Sequence, residues 1–315
     1  MRRRSTVRWI LAALGAVALA PAWAPLVGLA PRPLPPAGRL VRVGGHRVNV
    51  LDEGRGLPVV LVHGLPGSAY DWSPFSQRLL DAGFRVIRYD RVGYGHSDRR
   101  ARDAAHTLDA NAAELLDLLT AVGAESPLLV GWSYGGGVAL MAARQNRSAI
   151  GGVVLVGSIG PTTTKDWPLP DFVEWPRRWA VSAGFPARAA AALFGRRVFN
   201  GAPPAGWTDH AVSLLAAPGV IHSWMMEANQ MDVTSLHPND VDVPTTIVQG
   251  DADVLSPMDV ATTLHRAIPS SSLVAVSGGT HMLPNTHADL LVNQVRMLAS
   301  RIRAADPHAQ QAVGQ

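Results

Sequence analysis

Ser133 stands in a local sequence that could make its hydroxyl group a nucleophile. It lies at the centre of the run Gly131-Trp132-Ser133-Tyr134-Gly135, with an apolar strand-like stretch before it and a helical pattern after it. Because a serine hydroxyl is a weak nucleophile, it must be presented on an exposed turn beside a base. A sharp strand-to-helix turn does this but forces close backbone contacts, so the residues two before and two after the serine must be small. Glycine occupies both positions, and we therefore expect Ser133 to attack a carbonyl carbon.

A second run could stabilise the negative charge that such an attack creates. His63-Gly64-Leu65-Pro66-Gly67-Ser68 directly follows the apolar strand pattern Pro58–Val62. Preorganised N–H donors lower the energy of a developing oxyanion. We predict an oxyanion hole made by the backbone N–H groups of Leu65 and Tyr134. Taken alone, the run could also be a simple turn between a strand and a helix.

A third run carries a family resemblance. Tyr89-Asp90-Arg91-Val92-Gly93-Tyr94-Gly95-His96-Ser97-Asp98 is similar to the D-x-R-G-x-G-x-S loop that follows the fourth strand of α/β-hydrolases. With the two runs above and a Gly-Gly-Thr-His ending, it occurs in the order of that superfamily, from about Arg39 to Arg303. The chain resembles a capped, esterase- or lipase-like α/β-hydrolase with a serine nucleophile.

The resemblance implies where the acid and the base of a catalytic triad lie. The family's acid follows the penultimate strand, where Gly250-Asp251-Ala252-Asp253 selects Asp253, with Asp251 as the alternative. Its base follows the last strand, which selects His281, with His287 as a weaker competitor. The order Ser133, Asp253, His281 is that of this fold rather than of other serine hydrolases.

Short β-rich runs alternate with helical ones, as needed to position these residues. A hairpin is expected around Gly44-Gly45, and apolar runs predict the strands Pro58–Val62, Phe84–Tyr89, Pro127–Val130, Gly152–Val156, Thr245–Gln249 and Ser272–Val276. Helical spacing predicts helices at Trp72–Ala82, Leu108–Val122, Tyr134–Gln145, Met258–Ala267 and Ala288–Arg303, with Ser256 as a cap. This alternation predicts an α/β fold with a mostly parallel sheet covered on both faces.

The rest of the chain divides by composition. Residues 39–160 and 241–303 form the expected α/β core, and 161–240 form a helical cap that holds five of the nine tryptophans. The Pro-rich residues 31–38 are expected to be an extended linker, and 304–315 a flexible tail.

The N-terminus has the pattern of a targeting segment. Three arginines, Arg2 to Arg4, precede an apolar run from Trp9 to Ala20, and Pro21-Ala22-Trp23-Ala24-Pro25 leads into a second apolar stretch that ends at Ala30. This is typical of an export signal, and the run of about 22 residues could also remain as a membrane anchor. We expect an exported or membrane-anchored protein on the extracytoplasmic face, with possible membrane association through residues 9–30.

Composition excludes several function classes. Without Arg2, Arg3, Arg4 and Arg8, basic and acidic residues balance at 24 each, so we expect no basic surface of the kind that nucleic-acid binding requires in the folded part. There is no cysteine, which excludes thiol catalysis and cysteine-ligated metals. His210, His222 and His237 match no metal-ligand spacing, and no dinucleotide or phosphate motif is present, so neither a metal nor a cofactor is expected.

The same resemblance narrows the chemistry. The serine nucleophile excludes the aspartate-dependent dehalogenases and epoxide hydrolases, and the cap region supplies none of the tyrosines that the latter use. We expect hydrolysis of a small apolar acyl or aromatic carboxylic ester through an acyl-enzyme. The alternatives are a hydrolase that cleaves C–C bonds of diketone-like substrates, and a non-catalytic binding protein on the same fold; perhydrolysis is expected as a side activity.

Overall fold

The computed structural model describes residues 31–35, 38–164 and 185–305. The expected export signal or anchor in residues 1–30 lies outside the described residues. So do part of the expected cap, 165–184, and the last ten residues of the expected tail, 306–315. Among the helices that are described, none combines the length and the apolar character needed to cross a bilayer.

One eight-stranded sheet forms the centre of the described chain. Its strands are β1 (Arg39–Val43), β2 (His46–Glu53), β3 (Pro58–Val62), β4 (Arg85–Tyr89), β5 (Leu128–Trp132), β6 (Gly152–Val156), β7 (Thr245–Gly250) and β8 (Ser271–Val276). They are ordered β1-β2-β4-β3-β5-β6-β7-β8. β2 runs antiparallel to both β1 and β4, and every other neighbouring pair is parallel. The predicted mostly parallel sheet is confirmed.

Nine helices are described, and five of them cover the two faces of the sheet. They are α1 (Ser73–Asp81), α2 (Leu108–Val122), α3 (Tyr134–Gln145), α4 (Phe185–Val198), α5 (Trp207–Ala216), α6 (Val220–Gln230), α7 (Met258–Ala267), α8 (Leu283–Thr286) and α9 (Ala288–Ala305). Apolar residues of α2, α3 and α7 form a core with one face, and those of α1 and α9 form a core with the other. Because β5 and β6 are buried on both faces, they read as continuous apolar runs in the sequence.

The cap of α7 differs from its prediction. The N-cap residue is Pro257 rather than Ser256, and its side chain makes no capping hydrogen bond. Ser256 instead donates its hydroxyl to the carbonyl of Ser158, 2.7 Å away, and its backbone N–H to Asp253. Tertiary partners therefore outcompete the local capping interaction. The last helix is also longer than predicted, since it takes in Ala304 and Ala305 of the expected tail.

Residues 31–35, part of the predicted extended linker, make three contacts with other parts of the chain. Leu34 is half-buried against a cluster that includes Tyr94 and Val220. Arg32 forms an ion pair with Asp209 of α5 at 3.5 Å, and the carbonyl of Pro35 lies 2.7 Å from the ring Nε2 of His96. Proline favours the extended conformation but does not prevent docking of such a segment, so this part of the chain runs across the insertion helices.

Candidate active site

Ser133 occupies a strained turn between β5 and α3. Its φ of 57° and ψ of −122° lie outside the regions that most residues adopt. A Cβ atom at position 131 would lie 2.4 Å from the carbonyl oxygen of Gly135, and one at position 135 would lie 2.0 Å from that of Val62. Both positions therefore require glycine, for the steric reason used to predict the turn, and the turn places Ser133 at the N-terminus of α3.

The loop after β3 borders the serine hydroxyl. A Cβ atom on Gly64 would lie 3.2 Å from Cβ and 3.8 Å from Oγ of Ser133. Leu65 follows Gly64 directly, and Tyr134 follows Ser133. Among the described residues, no acceptor takes a hydrogen bond from the backbone N–H of Leu65 or of Tyr134. The two predicted oxyanion donors thus belong to the two segments that meet at Ser133.

Asp253 and His281 are in direct contact. Oδ2 of Asp253 lies 2.8 Å from Nδ1 of His281, and both side chains are buried. The other carboxylate oxygen, Oδ1, accepts the backbone N–H groups of Leu255 at 2.8 Å and Ser256 at 2.9 Å, and Gln249 donates to Oδ2 at 3.1 Å. Burial alone would raise the pKa of Asp253, but these donors and His281 outweigh it and the pKa is lowered. The carboxylate is therefore ionised at neutral pH and can orient the imidazole.

Two contacts fix His281 beside the turn that contains Ser133. The indole N–H of Trp132 donates to the carbonyl of His281 at 2.8 Å, and Trp132 immediately precedes Ser133. Gly157, which follows β6, lies so close that a Cβ there would be 3.0 Å from Oδ2 of Asp253 and 3.3 Å from Nδ1 of His281. The ends of β5, β6, β7 and β8 thus converge on one place.

The alternative acid and base have other partners. The carboxylate of Asp251 is exposed and accepts a hydrogen bond from the backbone N–H of Gly278 at 2.7 Å. It therefore links the loop after β7 to the loop after β8. The ring of His287 contacts the hydroxyl of its neighbour Thr286 at 2.8 Å. The structure brings Asp253 and His281 together and places Asp251 and His287 in these other contacts.

His63 supports the loop of Gly64 and Leu65 from behind. Its Nε2 accepts the backbone N–H of Arg91 at 2.9 Å, so the proton is assigned to Nδ1, which lies 2.9 Å from the carbonyl oxygen of Gly64. Burial, followed by the charge of Arg91, lowers the pKa of His63 well below its ordinary value. The ring is therefore neutral, and its role here is to hold the loop.

Leu65 also contacts the insertion helices. It packs against a cluster that contains Val212 of α5 and Ile221 and Met225 of α6. A second link joins the insertion to the loop region, since Nε2 of His210 on α5 lies 2.7 Å from Oδ1 of Asp71. The helices therefore lie over the loop of Leu65 and present an apolar surface to it.

The histidines of the insertion do not assemble a metal site within the described ranges, where no group of three or more possible ligands is found. His210 pairs with Asp71, and the ring of His222 packs against the edge of His106 at a centroid distance of 5.9 Å.

The match to known proteins agrees with this architecture. Residues 58–198 match the family model described as alpha/beta hydrolase fold. A non-heme chloroperoxidase of Streptomyces lividans is 30% identical over 254 residues, which cover 75% of this chain and 89% of the relative. A 2-hydroxymuconate semialdehyde hydrolase of Pseudomonas putida is 25% identical, covering 82% and 93%. A thermophilic esterase from Thermogutta terrifontis superposes with a TM-score of 0.66 at 26% identity, covering 84% and 98%.

The chain therefore belongs to the α/β-hydrolase fold family. The resemblance inferred from its four motifs is confirmed, and a hydrolase-family enzyme is the class that the fold and the relatives support.

Proposed function

We propose that the protein is a serine carboxylesterase that works through an acyl-enzyme on Ser133. The observation that carries this proposal is the buried contact of 2.8 Å between Asp253 and His281, held by Trp132 next to the strained Ser133 turn. A nucleophile on a glycine-flanked turn, a base and an orienting carboxylate are the groups that acyl transfer needs.

The proposed reaction has two steps. His281 takes the hydroxyl proton while Ser133 Oγ bonds to the carbonyl carbon, and the oxyanion is held by the N–H groups of Leu65 and Tyr134. The C–O bond to the leaving group then breaks as His281 returns the proton to the alcohol. A water molecule, deprotonated by His281, next attacks the acyl-enzyme and releases the carboxylic acid, which restores Ser133.

The insertion supports an apolar substrate. Val212, Ile221 and Met225 cluster over Leu65, whose own backbone supplies an oxyanion donor in this proposal. An acyl or aromatic group that extends from the reacting carbonyl toward the insertion would contact these apolar side chains. We propose small esters with an apolar acyl or aromatic part as the substrate class.

Hydrolysis of p-nitrophenyl esters from acetate to laurate tests the proposal, with the Ser133→Ala variant as the control. We expect the parent to hydrolyse them and the variant to lose about 10⁴-fold or more in kcat. If a folded parent hydrolyses none of these esters but turns over a vinylogous diketone, the C–C hydrolase alternative is correct. The semialdehyde hydrolase relative is the observation that favours that alternative. If neither substrate is turned over and Ser133 stays unlabelled by a fluorophosphonate, a binding role is correct.

The chloroperoxidase relative at 30% identity favours a second activity of the same site. Hydrogen peroxide could replace water in the second step: its oxygen would bond to the acyl carbon, the bond to Ser133 Oγ would break, and a peracid would leave. The peracid then oxidises a halide ion and becomes the carboxylate. Bromination of monochlorodimedone in acetate and peroxide, abolished by Ser133→Ala, is the expected result; bromination that persists in the variant contradicts it.

We also propose that residues 1–30 export the protein or anchor it to a membrane. The arginine-led apolar sequence supports this. Fractionation of the native host, with full-length protein found only in the cytosol, would refute it.

A further inference from the structure

We propose that Glu227, on helix α6 of the insertion, is a positioning residue for oxyanion stabilisation, acting through Arg91 on the two segments that supply Leu65 N–H and Tyr134 N–H. This inference rests on the proposed esterase function and goes beyond the triad. It assigns to an insertion residue a part in the chemical step.

Arg91 is the centre of a buried polar cluster next to residues 63–68, the predicted oxyanion loop. Its side chain is 1% exposed. It donates from Nη2 to the carbonyl of Gly64 at 2.9 Å and from Nε to the carbonyl of His63 at 3.3 Å. Its guanidinium carbon also lies 4.8 Å from the ring centre of Tyr94 and 4.8 Å from that of Tyr134. The same cation therefore contacts both halves of the predicted oxyanion hole.

The bond to Gly64 bears directly on the donor. The carbonyl of Gly64 and the N–H of Leu65 belong to one planar trans peptide unit, so they point in opposite directions. Holding the carbonyl toward Arg91 therefore also fixes the direction of the Leu65 N–H, in the loop that borders Ser133. A charge-assisted hydrogen bond to the carbonyl also polarises the amide and makes its N–H a stronger donor. The nearby Nδ1 of His63 adds a second partner to the same oxygen.

Glu227 determines how Arg91 is held. Its Oε1 accepts from Nη1 of Arg91 at 2.6 Å, which leaves Nη2 and Nε for the loop carbonyls. Asn111 donates to the same oxygen at 2.9 Å, and the phenol of Tyr94 donates to Oε2 at 2.8 Å. The carboxylate is fully buried. Every contact of Glu227 named here is thus made with a core residue, although the residue belongs to the insertion.

The cost of burying this pair supports a role besides stability. Two buried charges must be removed from water, and apolar residues of similar volume usually stabilise a fold at least as well. Burial alone would lower the pKa of Arg91, but Glu227 opposes this and the pKa is raised, so the cation is retained. The arrangement preserves a fixed positive charge behind the oxyanion loop and a direct link from α6 to that loop.

The test uses the full chain and three variants. Glu227→Gln keeps the shape of the side chain but removes its charge. A double variant, Arg91→Met with Glu227→Met, removes both buried charges, so that neither is left buried without its partner and the protein should still fold. Arg99→Met is the control, because Arg99 also links the core to the insertion, through the carbonyl of Pro218 at 2.6 Å, without a contact to the oxyanion loop. Each is assayed for kcat and KM on p-nitrophenyl butyrate, for melting temperature, and for inhibition by a trifluoromethyl ketone, which binds as an oxyanion.

We expect Glu227→Gln to lower kcat about 10- to 100-fold with KM within about threefold, since a donor is misdirected rather than deleted. Affinity for the trifluoromethyl ketone should fall by the same factor. The double variant should have a melting temperature near that of the parent but a kcat as low as that of Glu227→Gln. Arg99→Met should lose stability but keep the kcat and the inhibitor affinity of the parent.

Two results would overturn the inference. One is a folded Glu227→Gln protein with parental kcat and inhibitor affinity. The other is a double variant that regains both stability and kcat, which would make the pair purely structural. A parent that hydrolyses no ester and leaves Ser133 unlabelled would instead refute the proposed function, and the inference would fall with it.

Discussion

Replacing Asp253 with asparagine probes the predicted triad at its most constrained point. All four groups that contact the carboxylate are donors: the N–H groups of Leu255 and Ser256 at Oδ1, and Gln249 and His281 at Oδ2. An asparagine brings one oxygen and one NH₂ group. Its oxygen is best satisfied by the two backbone amides, which cannot turn away, so the NH₂ group must face His281.

The consequence for His281 is a change of tautomer. Nδ1 would have to accept from the asparagine, and the ring proton would move to Nε2, the atom that must take the proton of Ser133. The reverse tautomer would set two N–H groups against each other at a distance of 2.8 Å in the parent structure. The equivalent change in a serine protease triad lowers kcat about 10⁴-fold, which is about 5 kcal/mol of transition-state stabilisation. We expect a loss of that size for Asp253→Asn.

Steady-state hydrolysis of p-nitrophenyl butyrate measures the effect, and Asp251→Asn is the matched control. The side chain of Asp251 bonds only the backbone N–H of Gly278 among the contacts described for it, and an amide oxygen can replace that acceptor. The control should keep kcat within about threefold of the parent. A folded Asp253→Asn protein that retains more than about a tenth of the activity, or an equal loss in Asp251→Asn, would refute the assignment of the acid.

Two further predictions concern the surroundings of the site. Burial would lower the pKa of His210, but the bond to Asp71 outweighs it and the pKa is raised. The protonated ring therefore stabilises the fold, and His210→Gln should lower the melting temperature most near about pH 6. The difference from the parent should vanish as pH rises through the folded-state pKa of His210. A difference that is constant with pH contradicts this. Gly157→Ala and Gly123→Ala both force alanine into a positive φ, 49° and 60°, and each should lose about 1 kcal/mol of stability. Only Gly157→Ala should also lower kcat, because its Cβ would press on Asp253, whereas nothing lies within 4 Å at Gly123; equal kcat values for the two variants would contradict the proximity argument.

Local chemistry made the core and the Ser133 turn predictable from sequence. The helices Leu108–Val122, Tyr134–Gln145 and Met258–Ala267 have the predicted bounds, because strong apolar periodicity and turn residues define them. The clashes that a Cβ would meet at positions 131 and 135 are the reason that glycine marks the turn so clearly. Sequence reasoning also reached Asp253 and His281, although only through the family resemblance.

Long-range contacts made the rest unpredictable. Glu227 bonds Arg91 across 136 positions and His210 bonds Asp71 across 139, and neither insertion residue lies in a recognisable motif. Arg91 lies in the Asp90–Asp98 motif, which could have singled it out, but its partner could not be inferred. Ser256 was wrongly assigned as a cap because the competing acceptor, Ser158, is 98 positions away. The docking of residues 31–35 likewise depends on partners in α5 and in the loop of His96.

The most direct test of the central proposal is to locate a covalent adduct. The full chain is treated with a fluorophosphonate, digested and mapped by mass spectrometry, in parallel with ester hydrolysis by the parent and by Ser133→Ala. We predict one adduct, on the peptide that contains Ser133, with labelling and hydrolysis lost together in the variant. Ester hydrolysis that survives in Ser133→Ala, or an adduct on another residue of an active parent, would contradict the proposal that Ser133 is the nucleophile.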